Sequence, residues 1–114
     1  MSRGMGDVQR RLLAIFDHAK NDLVDTFELT ASVYELKPDA TGFVSVSEAE
    51  LSSVRRALIL LAKQGWVCGL RGFHNGRQCW GLPHALVLME RRGLPIAECL
   101  RHGRKAFWAA KRNG

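Results

Sequence analysis

Hydrophobic residues recur every three or four positions in several parts of the chain, which is the pattern of helices with one buried face. The first such part covers residues 7–20, and the second covers about residues 24–36. Pro38 ends the second helix, because proline disfavours helical geometry in the residue before it. The β-prone residues 42–46 follow. The beginning of the chain therefore predicts two helices and then a short strand.

The third predicted helix has the clearest boundaries. Ser47 and Glu50 have the spacing of a capping box, and Gly65 suits the end of a helix. One face of this helix is rich in leucine and predicts a buried stripe. The side away from this stripe begins with Ser52, Ser53 and Arg56, and Arg55 lies on the flank of the stripe. Ile59 and Leu60 interrupt that outer side later on, so we expect another element to cover them.

The next segment predicts a β-hairpin. Residues 66–74 and 77–82 are β-prone and flank Asn75-Gly76, a dipeptide suited to a two-residue type I′ turn. That turn places Arg71 opposite Trp80. The tip of the hairpin carries polar residues, namely His74, Asn75 and Arg77. Because the tip has no hydrophobic side chain to bury, we expect it to be solvated.

Two more helices are predicted near the C-terminus, over about residues 84–92 and 95–111. The second has an apolar face that includes Ile96, Leu100, Gly103 and Phe107. This face could pack inside the chain and cover the end of the third helix, or it could pair with its copy in a homodimer. Glycine in the middle of the face would allow close approach in either arrangement.

Charge is divided unevenly along the 114 residues, which are enough for one domain. Residues 1–54 have 5 Lys or Arg against 9 Asp or Glu, whereas residues 55–114 have 12 against 2. A basic half indicates a polyanionic partner. No apolar run approaches the length of a membrane span, and the N-terminal residues lack the apolar core of a signal peptide. We therefore expect a cytoplasmic protein without a membrane partner.

The order of elements is helix, helix, longer helix and polar-tipped hairpin. In residues 52–67, small polar and basic residues open a leucine-rich helix, and a glycine precedes the first hairpin strand. These features resemble the winged helix-turn-helix superfamily over residues 7–82. The resemblance implies a mainly α fold with a small β-hairpin, in which residues 1–82 are the winged helix-turn-helix domain. Residues 83–114 would then add two extra C-terminal helices to the same globular unit. In that superfamily the short strand lies between the first two helices, whereas the β-prone segment here follows the second.

The resemblance also implies double-stranded DNA as the partner. The third helix would enter the major groove, where arginine can bind guanine O6 and N7, and the hairpin would contact an adjacent backbone or the minor groove. The candidate DNA-binding residues are Ser52, Ser53, Arg55, Arg56, Arg71, His74, Asn75 and Arg77. Arg55 could instead form an ion pair with Asp39 or Glu48. Arg71 could instead stack on Trp80.

Catalytic and metal-binding patterns are weak. Four residues of metal-ligand type occur in one stretch, namely Cys68, His74, Cys79 and His84. Their spacing is not that of a CxxC or HxxxH site, so no metal is predicted. We expect Cys68, Cys79 and Cys99 to be buried free thiols. The chain has neither a glycine-rich phosphate loop nor a nameable catalytic triad, so we predict no enzyme activity, no cofactor and no small-molecule ligand.

The sequence therefore predicts a sequence-specific DNA-binding protein, a small transcriptional regulator of bacterial, phage or plasmid type that associates with the nucleoid when bound. Two alternatives stay open. One is a winged helix that binds another protein, with its basic half against an acidic partner. The other is a plasmid or phage replication component that binds origin DNA. A homodimer is a possible form of either DNA-binding protein.

Overall fold

Six helices and one four-stranded antiparallel sheet form the described part of the chain. The computed structural model describes residues 6–73 and 76–113. Its elements in order are α1 Asp7–His18, β1 Val24–Asp25, α2 Thr26–Val33, α3 Glu48–Lys63, β2 Cys68–Phe73, β3 Arg77–Gly81, α4 Pro83–Arg91, α5 Ile96–Cys99, β4 Leu100–His102 and α6 Arg104–Asn113. The prediction of a mainly α protein is confirmed, and the sheet is larger than the single hairpin that was expected.

Local capping explains where α2 and α3 begin. At α3 the predicted capping box is confirmed, because Ser47 Oγ accepts a hydrogen bond from the Glu50 amide at 3.1 Å, and Glu50 Oε1 accepts one from the Ser47 amide at 3.0 Å. At α2 the Asp25 carboxylate accepts a hydrogen bond from the Glu28 amide at 2.8 Å. This cap starts α2 at Thr26, two residues later than predicted, and leaves β1 as a strand.

The predicted strand over residues 42–46 is wrong. The Asp39 carboxylate accepts hydrogen bonds from the amides of Thr41 and Phe43 at 2.8 and 3.0 Å, and the Asp39 amide donates to the Phe43 carbonyl at 2.8 Å. These bonds close a turn and occupy the backbone groups that a strand would use. The short strand is β1, which lies between α1 and α2 and pairs with β3.

The sheet has the order β1-β3-β2-β4, and the predicted hairpin register is wrong. Trp80 pairs with Gly69 instead of Arg71, and Phe73 pairs with Arg77. The register shifts between Leu70 and Phe73, and glycine permits the pairing at position 69, because a Cβ there would lie only 2.7 Å from the Trp80 ring. The large ring therefore occupies the space that glycine leaves open on the neighbouring strand.

The sheet separates two hydrophobic cores. The face that carries Trp80 packs against α1, α2 and α3 around buried residues such as Leu12, Phe16, Leu29 and Leu58. The opposite face carries Cys68 and Leu70 and packs against α4, α5 and α6. The described chain is therefore layered, with the sheet between two groups of helices.

The predicted continuous helix over residues 95–111 is wrong. Gly103 has φ +76°, and a Cβ there would lie 2.5 Å from the Val67 carbonyl oxygen, so the helix is interrupted where the chain meets β2. Residues 100–102 leave the helical path and form β4 on the edge of β2. The proposed dimer face therefore lies inside the protein, with three of its members fully buried in the second core, namely Ile96, Leu100 and Phe107.

Candidate nucleic-acid interface

The start of α2 is tied to β3 by a buried threonine. The Thr26 hydroxyl donates a hydrogen bond to the Gln78 carbonyl at 3.2 Å and accepts one from the Trp80 indole N–H at 3.0 Å. Asp25, one residue earlier, pairs with Cys79 in the sheet. These contacts hold the first turn of α2 beside the strand that leads from the hairpin tip.

A small cavity brings α3 and the hairpin together beside this threonine. Its volume is about 130 Å³, and its lining includes Leu51 and Arg55 from α3, Phe27 from α2, and Arg77 and Gln78 from β3. Leu51 is buried, whereas the two arginines are exposed. The first half of α3 and the beginning of β3 therefore each contribute an arginine side chain to the lining of one cavity.

Arg77 is positioned by two neighbours that the sequence analysis missed. Its Nη1 lies 3.4 Å from Asp25 Oδ2, and its guanidinium carbon lies 5.6 Å from the centroid of the Phe27 ring. The Arg77 side chain is still 59% exposed, so most of its donors face solvent. No local pattern in the sequence indicates this pair, because Asp25 and Arg77 lie 52 positions apart along the chain.

The outer side of α3 is open to solvent. Ser52, Arg55 and Arg56 are exposed, and Ser53 is half-buried. Two glutamates, Glu48 and Glu50, occupy the first turn, where they suit the helix dipole and disfavour a phosphate at the helix N-terminus. An anion is therefore better placed one turn later, beside the two arginines.

The ion pair that was the alternative for Arg55 is not formed. Among the described residues, neither Arg55 nor Arg56 has an acidic partner within ion-pair distance. Asp39 is engaged elsewhere, because the Thr41 hydroxyl donates to it at 2.6 Å. This bond, together with those from the Thr41 and Phe43 amides, lowers the pKa of Asp39 from its usual value.

The second half of α3 exposes an apolar patch. Arg56, Ile59 and Leu60 line an open cavity of about 230 Å³, and we call these three residues the outer α3 patch. Leu60 is 47% exposed. The predicted last helix does pack inside the chain, where its β4 part contacts α3 and its α6 part packs against α4 and β2, but it leaves Leu60 exposed.

The hairpin contributes one more exposed cation. Arg71 lies exposed on β2, and the alternative in which it stacks on Trp80 is not formed. The buried Trp80 ring instead stacks on His102, with 5.3 Å between centroids and 17° between planes. Burial lowers the pKa of His102. The other two predicted tip contacts, His74 and Asn75, lie outside the described residues.

Several cations of the C-terminal region are bound within the chain. Arg101 Nη1 donates to the carbonyls of Glu98 and Leu100 at 3.4 and 3.2 Å, and Arg104 Nη1 donates to the Leu100 carbonyl at 3.1 Å. Lys111 forms an ion pair with a glutamate of α4. The two arginines stabilise the junction of α5, β4 and α6, and the Lys111–Glu90 pair joins α6 to α4, so fewer donors of these groups are available to a ligand.

Within residues 6–73 and 76–113, no group of three or more His, Cys, Asp or Glu side chains is close enough to hold a metal ion. The three cysteines are free thiols, with Cys68 and Cys79 buried and Cys99 half-buried. Burial raises the pKa of Cys68 to about 12, which keeps it a neutral thiol.

No helix in residues 6–73 and 76–113 is both long enough and apolar enough to cross a bilayer.

The structure thus brings Arg55 and Arg77 into one cavity, and it places Arg56 about 100° further around α3, on the outer side. Comparison with protein-family models, with curated proteins and with solved structures finds no match to this chain.

Proposed function

We propose that this chain is a winged helix-turn-helix protein that binds double-stranded DNA through α3 and the β2–β3 hairpin, and that it acts as a small sequence-specific transcriptional regulator. The observation that carries this proposal is the shared cavity of Arg55 and Arg77. Two exposed arginines from distant parts of the chain line this cavity, and the outer side of α3 has no acidic residue beyond its first turn.

The topology supports the winged-helix assignment. The short strand β1 lies between α1 and α2, pairs with β3, and stands at the end of the sheet order β1-β3-β2. The resemblance implied a strand at this place in the chain, whereas the sequence pattern had suggested one after α2. β4, which extends the sheet beyond β2, is an addition to that plan.

The chemistry of the two arginines of α3 suggests different tasks. An α-helix fits the major groove, where the side chain at the centre of its outer face reaches base edges and those on its flanks reach the backbone. Arg56 lies on the outer face, so we assign it to guanine O6 and N7. Arg55 and Arg77 flank the helix, so we assign them to phosphates, with Asp25 orienting Arg77.

Two measurements test the proposal. Selection of bound duplexes from a random pool should enrich a defined sequence, and affinity for that duplex should fall steeply with salt because bound phosphates release counterions. Arg56→Ala should lower the preference for the selected sequence by about 1–3 kcal/mol. Arg77→Ala should weaken binding to all sequences and reduce the salt slope by about 1.

Arg91→Ala is the matched control, because Arg91 is an exposed arginine of α4, on the opposite face of the sheet. It should leave both the sequence preference and the salt slope nearly unchanged. Equal binding of the selected duplex by Arg56→Ala and wild type would contradict the assignment of Arg56 to base contacts. An enriched palindrome would indicate two-fold assembly through a face other than the buried one.

The second candidate is the protein-interaction module, and one observation favours it. Leu60 and Trp66 are both about half exposed, at the end of α3 and just after it. Contiguous exposed apolar surface marks sites where proteins bind one another, and these two side chains are where a partner would dock on α3. Selection that enriches no duplex, together with binding that does not depend on salt, would favour this candidate over DNA binding.

A further inference from the structure

The outer α3 patch combines an apolar hollow with a guanidinium group. Arg56, Ile59 and Leu60 have the spacing i, i+3 and i+4, which places their side chains next to one another on one side of the helix. None of them belongs to the fully buried core, and Leu60 is 47% exposed. A ligand complementary to this patch has an apolar group that packs on Ile59 and Leu60 and negative charges around that group.

We propose, on the basis of the DNA binding proposed above, that this hollow receives the 5-methyl group of a thymine next to the guanine that Arg56 binds. The thymine methyl is the apolar group that a base pair presents in the major groove, and apolar side chains contact it there. Neighbouring bases of one strand are about 3.4 Å apart. Side chains one turn apart on a helix have their Cβ atoms about 5–6 Å apart, so the long side chain of Arg56 has to span only the remaining offset of about 2 Å for it and Leu60 to reach neighbouring bases.

Charge around the patch favours DNA over a second copy of the chain. Arg55 and Lys63 are exposed on α3 along with Arg56, so the apolar hollow lies among cations of the same helix. The centre of a protein–protein interface is depleted in charged residues, and a stable interface buries about 800 Å² on each partner. Two partly exposed aliphatic side chains among three cations do not provide such a centre, whereas phosphates on both sides of the groove complement it.

Removal of a single methyl group tests the inference. The probe is the duplex enriched from the random pool, prepared once with thymine and once with deoxyuridine at the position next to guanine, so that the two differ only by the methyl group. Burial of one such group is worth about 0.8 kcal/mol, which corresponds to about a fourfold difference in affinity. We expect wild type to bind the thymine duplex about fourfold more tightly.

Variants show whether the outer α3 patch is responsible for that difference. Leu60→Ala and Ile59→Ala remove lining side chains that are at most partly buried, so both should fold, and each should reduce the fourfold preference towards equality. Leu94→Ala is the matched control, because Leu94 is also an exposed leucine but lies between α4 and α5. It should retain the full preference.

Three other outcomes would overturn the proposed methyl contact, and each identifies which step of the argument is wrong. If wild type binds both duplexes equally, with steep salt dependence, then the methyl contact is wrong and the proposed function stands. If the preference survives in both Leu60→Ala and Ile59→Ala, the methyl group is read elsewhere. If wild type shows no salt-dependent binding to any duplex, the proposed function itself fails and this inference fails with it.

Discussion

Arg55 and Arg56 of α3 differ in their surroundings from Arg101, Arg104 and Lys111 on the opposite side of the sheet. On the α3 side, Arg55 and Arg56 are exposed and, within the described residues, have no acidic partner. On the other side, Arg101 and Arg104 donate to backbone carbonyls, and Lys111 pairs with a glutamate. The number of basic residues in a region therefore does not locate a polyanion site. An N–H group that already donates a hydrogen bond within the protein must lose that hydrogen bond before it can bind a phosphate.

The largest expected effect concerns the junction that holds the α4–α6 side together. Gly103→Ala should lower the free energy of unfolding by about 3–5 kcal/mol, because the new Cβ would lie 2.5 Å from the Val67 carbonyl oxygen in a backbone conformation with φ +76°. Urea unfolding measures this change. Gly93→Ala is the control, since Gly93 has φ +101° with nothing within 4 Å of a Cβ, and it should cost only about 1–2 kcal/mol. Equal costs would show that the close approach at Gly103 is unimportant.

Removal of the exposed cations should affect binding alone. The double variant Arg55→Gln, Arg56→Gln should weaken DNA binding by about 2–3 kcal/mol, because it removes a base contact and a phosphate contact. Its free energy of unfolding should stay within about 0.5 kcal/mol of wild type, as expected for surface positions without partners. Titration of the selected duplex and urea unfolding give the two values. Unchanged affinity would contradict the assignment of α3 to the interface.

Removal of the cations that are bound within the protein should lower its stability and leave DNA binding nearly unchanged. The double variant Arg101→Gln, Arg104→Gln removes the same amount of charge, but it also removes hydrogen bonds to the carbonyls of Glu98 and Leu100. Its free energy of unfolding should fall by about 1–2 kcal/mol, and affinity for DNA should change less than about threefold. A larger loss of affinity than in the α3 double variant would reverse the comparison.

The smallest expected effect is a pH dependence at the sheet. Burial against Trp80 lowers the pKa of His102 from 6.5, so the folded protein favours the neutral ring. The contribution of this group to stability is fully present above about pH 6.5 and is lost as the pH falls through the folded-state value. His102→Phe keeps an aromatic ring on Trp80, and its stability should fall less than that of wild type between pH 7 and pH 5. The same substitution at exposed His84 is the control and should leave the wild-type pH dependence in place.

Local patterns were sufficient for part of the fold and part of the site. The capping box at Ser47 and Glu50 located the start of α3, since its atoms lie within four residues. Arg56 was identifiable as exposed because it lies outside the leucine stripe of the same helix, whereas Arg55 lies on the flank of that stripe. The partners of Arg77 were not, because Asp25 and Phe27 reach it only after β1 pairs with β3.

By itself, the sequence determined the α-helices whose ends and buried faces depend on neighbouring residues, and it determined the positive charge on the outer side of α3. Tertiary structure decided the hairpin register, the place of the short strand and the division of the last helical segment. Each of those outcomes depends on groups far apart in the chain: the Trp80 ring above Gly69, Asp25 beside Cys79, and β4 on the edge of β2. Residues 95–111 have a helix-like pattern, but residues 100–102 form β4 because the open edge of β2 provides partners for their backbone hydrogen bonds. Gly103, with its positive φ, lets the chain turn from β4 into α6.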